Sequence, residues 1–357
     1  MSEQKCQEIL CDKHGKRVRP WKPKKVGSLV LSDSYSRIGH ALREEYQLNG
    51  VHKRYTVGKH GKTYCVGSYD KDGNRVVDYE GRANDVKWCG ARLKFEELDK
   101  NEYKLKEAKF CRVSLCPVCQ WRKSLKVFHN VSKVMDNVEA TEPNFVPLFL
   151  TLTVRNCEIV ELEETVKCIL NGFHTFATKD IHVKNIVKGY FRALEITYNE
   201  KAETFHPHIH AILLVDKRYF NSDDYLQTSQ IVQIWRRVCK LDYDPICDIR
   251  RTKTPKGKRK EVAEVAKYTL KDTEIFKKGM EMPEMDFVVK YLSQALKGRR
   301  LYAFGGLMKE IAKELNCENA DGGDLVNIDG ETVRADLVKC VIDFNWCFGR
   351  ANYFRAE

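Results

Sequence analysis

The sequence lacks any run of about 18 apolar residues, the length that a helix needs to cross a bilayer. Its first ten residues are polar and charged, unlike a secretory signal. It also lacks internal repeats and low-complexity tracts. These absences exclude membrane-spanning, secreted and repeat-array proteins, and they predict a soluble protein of the cytoplasm.

The chain is short of acidic residues, with 50 Asp and Glu against 62 Lys and Arg and a net charge of +12. Asp12–Val26 contains a single acid, and Arg250–Lys260 contains seven basic residues and none. Such windows are commonly solvated surface, but Trp21 in the first favours contact with the phosphates of a nucleic acid. The candidate DNA-binding residues are Lys22, Lys24, Lys25, Arg122, Lys123, Arg250, Arg251, Lys256, Lys258 and Arg259.

Disulfides are not expected among the fourteen cysteines, because the chain has no secretion signal. Four of them have spacings that could form a structural zinc site, and a Cys-Pro-Val-Cys turn can present two thiolates to one ion. Cys65 and His129 are possible substitutes. The alternative is a set of reduced cysteines without an ion. The four cysteines of the candidate zinc site are Cys89, Cys111, Cys116 and Cys119.

The middle of the chain has the periodicity of a small sheet with helices. Val146–Val154 alternates as a strand does, and Leu162–Phe176 has helical spacing. Gly189–Tyr198 and Phe205–Val215 are separated by a short polar turn, which is typical of an antiparallel hairpin. The order of elements predicts an α+β fold, an antiparallel central sheet with helices packed on it.

Three histidines stand at alternate positions of the second hairpin strand. His206, His208 and His210 therefore lie on one face, where a pair of imidazoles can hold a divalent cation. Such a cation would act as a Lewis acid on a substrate oxygen. Glu195 on the neighbouring strand is the better candidate for a third ligand, and His206 is its rival. Partly buried histidines satisfied by hydrogen bonds are the structural alternative.

A second informative segment is the predicted helix Glu261–Lys271. Glu264, Tyr268 and Lys271 fall on one side of it, at spacings of four and three residues. A phenol has a pKa of about 10 and attacks poorly unless a cation or base helps to remove its proton. Lys271 and the nearby metal could favour the phenolate, and Glu264 could serve as a general base. An ordinary solvent-facing helix side is the alternative.

Taken together, these segments resemble the motifs of the single-tyrosine rolling-circle replication initiators of small bacterial plasmids, a group within the HUH endonuclease superfamily. The three motifs occur in the family's order as Phe149–Asn156, His206–His210 and Glu264–Lys271. The likeness runs from about residue 16 to residue 310. Its flanking segments are Arg19–Lys25, Phe110–Cys119, Gly189–Asn199 and Ala295–Leu301.

The resemblance implies a palm-like antiparallel sheet of the ferredoxin or RRM type. It implies that Tyr268 is the nucleophile, that Glu264 activates water at termination, and that His208 and His210 bind Mn²⁺ or Mg²⁺. The implied reaction nicks one strand at the double-strand origin, leaving a 5′-phosphotyrosine and a 3′-hydroxyl primer. The implied partners are plasmid DNA, a host helicase, a DNA polymerase and a second copy in a homodimer, all in the bacterial cytoplasm.

Two other functions stay open at this point. A relaxase or single-tyrosine transposase uses the same chemistry, although the histidine strand precedes the tyrosine helix here, which disfavours a relaxase. A zinc-stabilised DNA-binding regulator without enzymatic activity would need the basic windows alone.

The expected organisation has four parts. Residues 1–88 form a basic N-terminal region, and residues 89–135 form a possible zinc module that contains a basic helix from Gln120 to Met135. Residues 145–275 form the HUH nuclease domain, with a helix capped by Asn221 or Ser222. Residues 276–357 form a mostly helical C-terminal region.

Overall fold

The structure is a computed structural model, and it describes eleven segments of the chain. They are residues 21–42, 52–57, 63–70, 72–73, 75–98, 103–199, 202–251, 262–266, 280–317, 319–329 and 337–356. The chain divides into two compact units. The first comprises Met1–Cys119, Ile275–Lys297 and Val333–Glu357, and the second comprises Gln120–Glu274 and Gly298–Thr332. The four-part organisation expected from the sequence stays a prediction.

The described segments mix helices with antiparallel strands, which confirms the α+β class. In chain order the main elements are α1 (Trp21–Ala41), β1 (His52–Val57), β2 (Thr63–Tyr69), β3 (Arg75–Val76), α2 (Tyr79–Trp88), β4 (Arg92–Glu97), β5 (Tyr103–Ala108), α3 (Pro117–Thr141), β6 (Phe145–Thr153), α4 (Leu162–Thr178), α5 (Val183–Ile186), β7 (Val187–Asn199), β8 (Thr204–Asp216), α6 (Thr228–Cys239), β9 (Cys247–Arg251), α7 (Met282–Ala295), β10 (Tyr302–Gly306), α8 (Leu307–Glu314), β11 (Cys340–Cys347) and β12 (Asn352–Arg355).

The first unit contains a three-stranded sheet, β1-β2-β3, and a four-stranded sheet in the order β12-β11-β4-β5. Helix α1 lies against α2 and α7. The Ser32 hydroxyl donates to the Ala83 carbonyl at 2.8 Å, and the buried hydroxyls of Tyr35 and Ser293 are 2.9 Å apart. These hydroxyl groups of α1 thus have hydrogen-bond partners where the helices pack together. A buried hydroxyl without a partner would destabilise the fold.

The second unit is built on a five-stranded antiparallel sheet in the order β10-β7-β8-β6-β9. Its central strand, β8, is buried along most of its length and pairs with β6 on one side and β7 on the other. This accounts for the long apolar run that follows the histidines in the sequence.

Helices α4 and α6 cover one face of this sheet. Phe173 of α4 meets Tyr190 of β7 edge to face at 5.2 Å between ring centroids, and the Trp235 indole donates to the Thr153 carbonyl at 2.8 Å. Side chains five positions apart on a strand point to opposite faces. Glu195, five residues after Tyr190, therefore lies on the face that α4 does not cover.

Three details differ from the sequence-based expectations. The basic helix expected from Gln120 to Met135 is longer, because α3 begins at Pro117, a residue favoured in the first turn. Helix α6 is capped by Gln227 through a capping box, and Asn221 and Ser222 instead end a short 3-10 turn. The C-terminal region contains strands β10, β11 and β12 beside its helices. Within the described segments, no helix combines the length and hydropathy of a membrane span.

Candidate metal and nucleic-acid site

The hairpin of β7 and β8 brings a carboxylate beside two imidazoles. Its register pairs Glu195 with His208 and Ala193 with His210, so the three polar side chains share one face. All three are buried, with 7–8% of their surface exposed. Their ligand atoms lie within 4.8 Å of one another, a spacing suited to holding a single metal ion.

The carboxylate of Glu195 is the centre of this cluster. Its Oε2 atom lies 3.1 Å from Nε2 of His210 and 3.4 Å from Nε2 of His208. Burial raises the pKa of the Glu195 carboxyl, but the hydrogen bonds and charges of the two imidazoles outweigh it, and the pKa lies well below its usual value. The group is therefore an anion with two nitrogen atoms facing it.

The Nδ1 atoms of His208 and His210 have partners of their own. Nδ1 of His208 lies 3.0 Å from the His206 carbonyl, which can only accept, so Nδ1 carries the proton. Nε2 of His208 then faces the Glu195 carboxylate as a donor when the ring is protonated and as a lone pair when the ring is neutral. Nδ1 of His210 lies 3.1 Å from the Thr151 hydroxyl. A divalent cation between the three groups would take the place of such a proton, with a carboxylate oxygen and two imidazole nitrogens as its ligands, so the donor set fits a metal.

His206, the rival third ligand, lies at the edge of this cluster. Its ring stacks on that of His208 at 5.1 Å, and its side chain is half-buried. Burial lowers the pKa of His206, and the charge of His208 lowers it further. Its ring nitrogens are not among the ligand atoms that converge in the cluster.

A second carboxylate approaches the cluster from the third sequence motif. Residues 262–265 form a helical turn anchored by the buried side chains of Val262 and Val265. From this turn Oε1 of Glu264 lies 3.9 Å from Nε2 of His210. Two motifs that are 54 residues apart, counted from position 210 to position 264, therefore meet at one site.

Several predicted site residues lie outside the described segments. Tyr268, the predicted nucleophile, and Lys271 follow the helical turn, and the basic loop contains the others. Their assignments stay predictions. These residues are Tyr268, Lys271, Lys256, Lys258 and Arg259.

The cysteine cluster of the first unit also converges. Sγ of Cys119 lies 3.5 Å from Sγ of Cys89 and 3.6 Å from Sγ of Cys111, and Cys116 completes a group of four. His129 lies in α3 of the other unit and is not among these ligand atoms. The side chain of Cys65 lies outside the described part.

The candidate DNA-binding residues have different surroundings. Lys22, Arg250 and Arg251 are exposed, and Lys24 is half-buried. Arg250 pairs with Phe149 across the strands, and its guanidinium lies 4.7 Å from the centre of that ring. Since Phe149 contacts the His210 ring at 5.5 Å, Arg250 occupies the histidine face of the sheet.

Three other basic candidates are buried. The Lys25 amine donates to two main-chain carbonyls, and Arg122 donates to those of Leu325 and Val326 at 2.8 Å each. Lys123 pairs with Asp321 at 3.2 Å. Burial lowers the pKa of Arg122 to about 10. A phosphate contact would require these side chains to break their contacts inside the protein. Their surroundings therefore favour a structural role over a DNA contact.

Sequence reasoning did not assign three neighbours of these clusters. Thr151 supports His210, and its place follows from the strand register, which pairs the two residues directly. Lys25 and Ser28 lie beside the cysteines, but nothing in the sequence of α1 indicates this, since they are more than 60 residues from Cys89.

The chain matches known proteins over most of its length. The family model described as a replication protein matches residues 102–354. A protein described as "Protein rep" from Bacillus amyloliquefaciens is 38% identical over 271 residues, covering 71% of this chain and 78% of the relative. This chain belongs to the Rep family of replication proteins.

Other Rep relatives extend the match across several bacteria. One from Lactiplantibacillus plantarum is 33% identical over 282 residues, covering 76% of this chain and 88% of the relative. A replication protein from Staphylococcus aureus is 34% identical over 232 residues, 63% of this chain and 97% of its own length. No solved structure gives a significant match. Membership of the Rep family confirms the resemblance drawn from the three motifs.

Proposed function

We propose that this Rep-family protein initiates rolling-circle plasmid replication by nicking one DNA strand at the double-strand origin and forming a covalent 5′-phosphotyrosine at Tyr268. The observation that carries the proposal is the meeting of the second and third motifs, in which the Glu264 carboxylate lies 3.9 Å from the His210 ring nitrogen. An exposed amphipathic helix with no catalytic role would have no reason to bring this acid to a buried imidazole.

The position of Tyr268 in the sequence agrees with such a role. It follows Glu264 by four residues, which is about one turn of the helix that the sequence predicts for Glu261–Lys271. On this proposal its phenolic oxygen attacks the scissile phosphorus and loses its proton. The bond from phosphorus to the 3′ oxygen breaks, and that oxygen gains a proton to become the primer hydroxyl. The energy of the phosphodiester is kept in the phosphotyrosine, which permits rejoining.

The residues of the histidine face have separate parts in this reaction. Glu195, His208 and His210 would hold Mn²⁺ or Mg²⁺, and the two imidazoles make Mn²⁺ the better match because Mg²⁺ prefers oxygen ligands. When bound, such an ion supplies Lewis acidity towards a phosphoryl oxygen. Arg250, on the same face, would contact a neighbouring phosphate through its exposed guanidinium.

Glu264 would act at the end of the cycle. A single tyrosine occupied by the first strand cannot attack a second phosphate, so release needs another nucleophile. A water molecule beside Glu264 would give up a proton to the carboxylate and cleave the second phosphate, which leaves a free 3′ hydroxyl. That hydroxyl would attack the phosphotyrosine, which rejoins the strand, and its proton would pass to the phenolate as the tyrosine is freed. A host helicase and polymerase, and a second copy of the chain, are expected partners in this reaction.

The test is a nicking assay on supercoiled plasmid DNA that carries the cognate origin. The full-length protein with Mn²⁺ should convert it to open circles, and EDTA should prevent this. His208→Ala and Tyr268→Phe should each abolish nicking, whereas His174→Ala, at an exposed position of α4, and Tyr225→Phe, at an exposed loop position, should leave it unchanged. A binding regulator would leave the DNA intact under every condition, and cleavage that prefers transposon ends would indicate a transposase.

A further inference from the structure

The four sulfur atoms of the first unit are arranged as the ligands of one ion would be. Two of the Sγ separations are 3.5 and 3.6 Å, and all four ligand atoms lie within 4.8 Å of one another. Zinc bound tetrahedrally at about 2.3 Å from each sulfur places the sulfurs roughly 3.8 Å apart. The sulfurs are too close together to surround a cluster of several iron atoms.

Main-chain amides point at the sulfurs. The Cys111 N–H donates to Sγ of Cys89 at 3.4 Å, and the Arg112 N–H donates to Sγ of Cys119 at 3.2 Å. A thiol needs no such donors, whereas they stabilise the negative charge of a metal-bound thiolate, as the outer shell of a metal site does.

The backbone turns sharply after two of the cysteines. Gly90 and Arg112 have φ angles of +60° and +61°, and each directly follows a cysteine of the cluster. A side chain at Gly90 would come within 3.3 Å of Val118. For Arg112 the left-handed conformation is unfavourable and persists only where the surroundings enforce it. The two turns aim Cys89 and Cys111 at the same point.

A buried lysine lies beside this group. Lys25 of α1 has no exposed surface, and its amine donates to the carbonyls of Lys87 and Cys89 at 2.5 and 2.8 Å. Four thiolates and one Zn²⁺ carry a net charge of −2, so an ammonium group at this position offsets part of the charge that burial penalises. On the same helix, the Ser28 hydroxyl lies 3.3 Å from Sγ of Cys116.

From these contacts we infer that Cys89, Cys111, Cys116 and Cys119 bind one structural Zn²⁺, and that Lys25 is its charge-compensating positioning residue. The ion ties the end of α2 to the start of α3, two elements that are far apart in the sequence. Lys25 then has its place inside the protein because of the metal site, and it is not available to phosphates. Binding releases the thiol protons, so that each sulfur enters the site as a thiolate.

The first test uses the unaltered full-length protein, purified without chelator. We expect about one zinc per chain after dialysis, released as a thiol-specific mercurial reacts with the cysteines. Replacing zinc with Co²⁺ should produce the visible absorption and the thiolate charge-transfer bands of a tetrahedral sulfur site. The inference would be overturned by a protein that is folded by circular dichroism and contains no zinc, and whose four cysteines react at once with a thiol reagent.

Variants separate this site from the histidine cluster. Cys119→Ser should remove the Co²⁺ charge-transfer bands, while Cys317→Ser, a half-buried cysteine of the other unit, should retain them. Zinc that survives Cys119→Ser but is lost from His208→Ala would belong to the histidines and would overturn the assignment.

The role of Lys25 has its own measurement. Lys25→Met keeps the aliphatic stem but removes the ammonium, and we expect it to weaken zinc affinity by roughly 10–100-fold in competition with a chelating dye. Lys22→Met, an exposed change on the same helix, is the matched control and should leave the affinity unchanged. An unchanged affinity in Lys25→Met would remove Lys25 from the site, and Lys25→Arg should restore part of the loss.

Discussion

Replacing Glu195 by glutamine tests the metal site with the smallest change of shape. The side chain keeps its volume and loses its charge, at a position where one oxygen faces two imidazole nitrogens at 3.1 and 3.4 Å. An amide oxygen is a weak ligand for Mn²⁺, and the amide NH₂ group cannot bind it at all. Because Glu195 is only 7% exposed, water cannot replace the lost charge without entering the sheet.

The expected size of the effect follows from these contacts. Loss of one charged ligand or partner in such a site is worth about 10–100-fold in metal affinity, or roughly 1.4–2.7 kcal/mol. The Mn²⁺ concentration that gives half-maximal nicking should rise by that factor in Glu195→Gln, with the rate recovering at high Mn²⁺. Direct Mn²⁺ binding, followed by the paramagnetic resonance of the free ion, should shift in parallel.

Glu164→Gln is the matched control, since it makes the same chemical change at an exposed carboxylate of α4 that pairs with Lys167. Its Mn²⁺ dependence should equal that of the unaltered protein. If Glu195→Gln binds Mn²⁺ as tightly as the unaltered protein and still nicks slowly, Glu195 is not a ligand, and the reasoning from the facing nitrogen atoms is refuted.

Three further predictions concern the other parts of the two units. Glu264→Gln should nick at a nearly normal rate but release its covalent product slowly in a single-turnover chase, and normal release would exclude Glu264 as the base. Arg250→Ala should weaken binding of origin DNA and reduce its salt dependence by about one phosphate contact, without changing Mn²⁺ affinity; an unchanged salt slope would remove Arg250 from the interface. Arg122→Met should lower the free energy of unfolding in urea by about 1–3 kcal/mol, because two buried carbonyls lose their donor. Unchanged stability together with weakened DNA binding would contradict the structural role of Arg122.

The sheet and its histidines could be predicted because both depend on local periodicity. Alternation of apolar residues defined β6, β7 and β8, and the same two-residue period placed His208 and His210 on one face. Glu195 could be proposed as their neighbour because a short hairpin fixes the register of its strands. The family resemblance then joined the third motif to this face, where Glu264 lies.

The burial of some basic residues depends on contacts between distant parts of the chain. A cluster of basic residues indicated a phosphate-binding surface, but no local pattern shows that Lys25 meets the carbonyl of Cys89, or that Arg122 meets a loop some 200 residues later. The buried side of helix α1 mixes serines and a lysine with apolar residues, which weakens its apolar stripe. Such packing follows from the fold as a whole and leaves no periodic signal.

The central claim is that Tyr268 forms a covalent bond to DNA at the histidine site, and one measurement addresses it directly. The full-length protein is incubated with Mn²⁺ and a single-stranded origin oligonucleotide that is labelled on the 3′ side of the nick, and the adduct is mapped by peptide mass spectrometry. We predict a phosphodiester-linked nucleotide on the peptide that contains Tyr268, absent from Tyr268→Phe and from His208→Ala. Cleavage of the oligonucleotide without any adduct, or with an adduct on another tyrosine, would contradict the account.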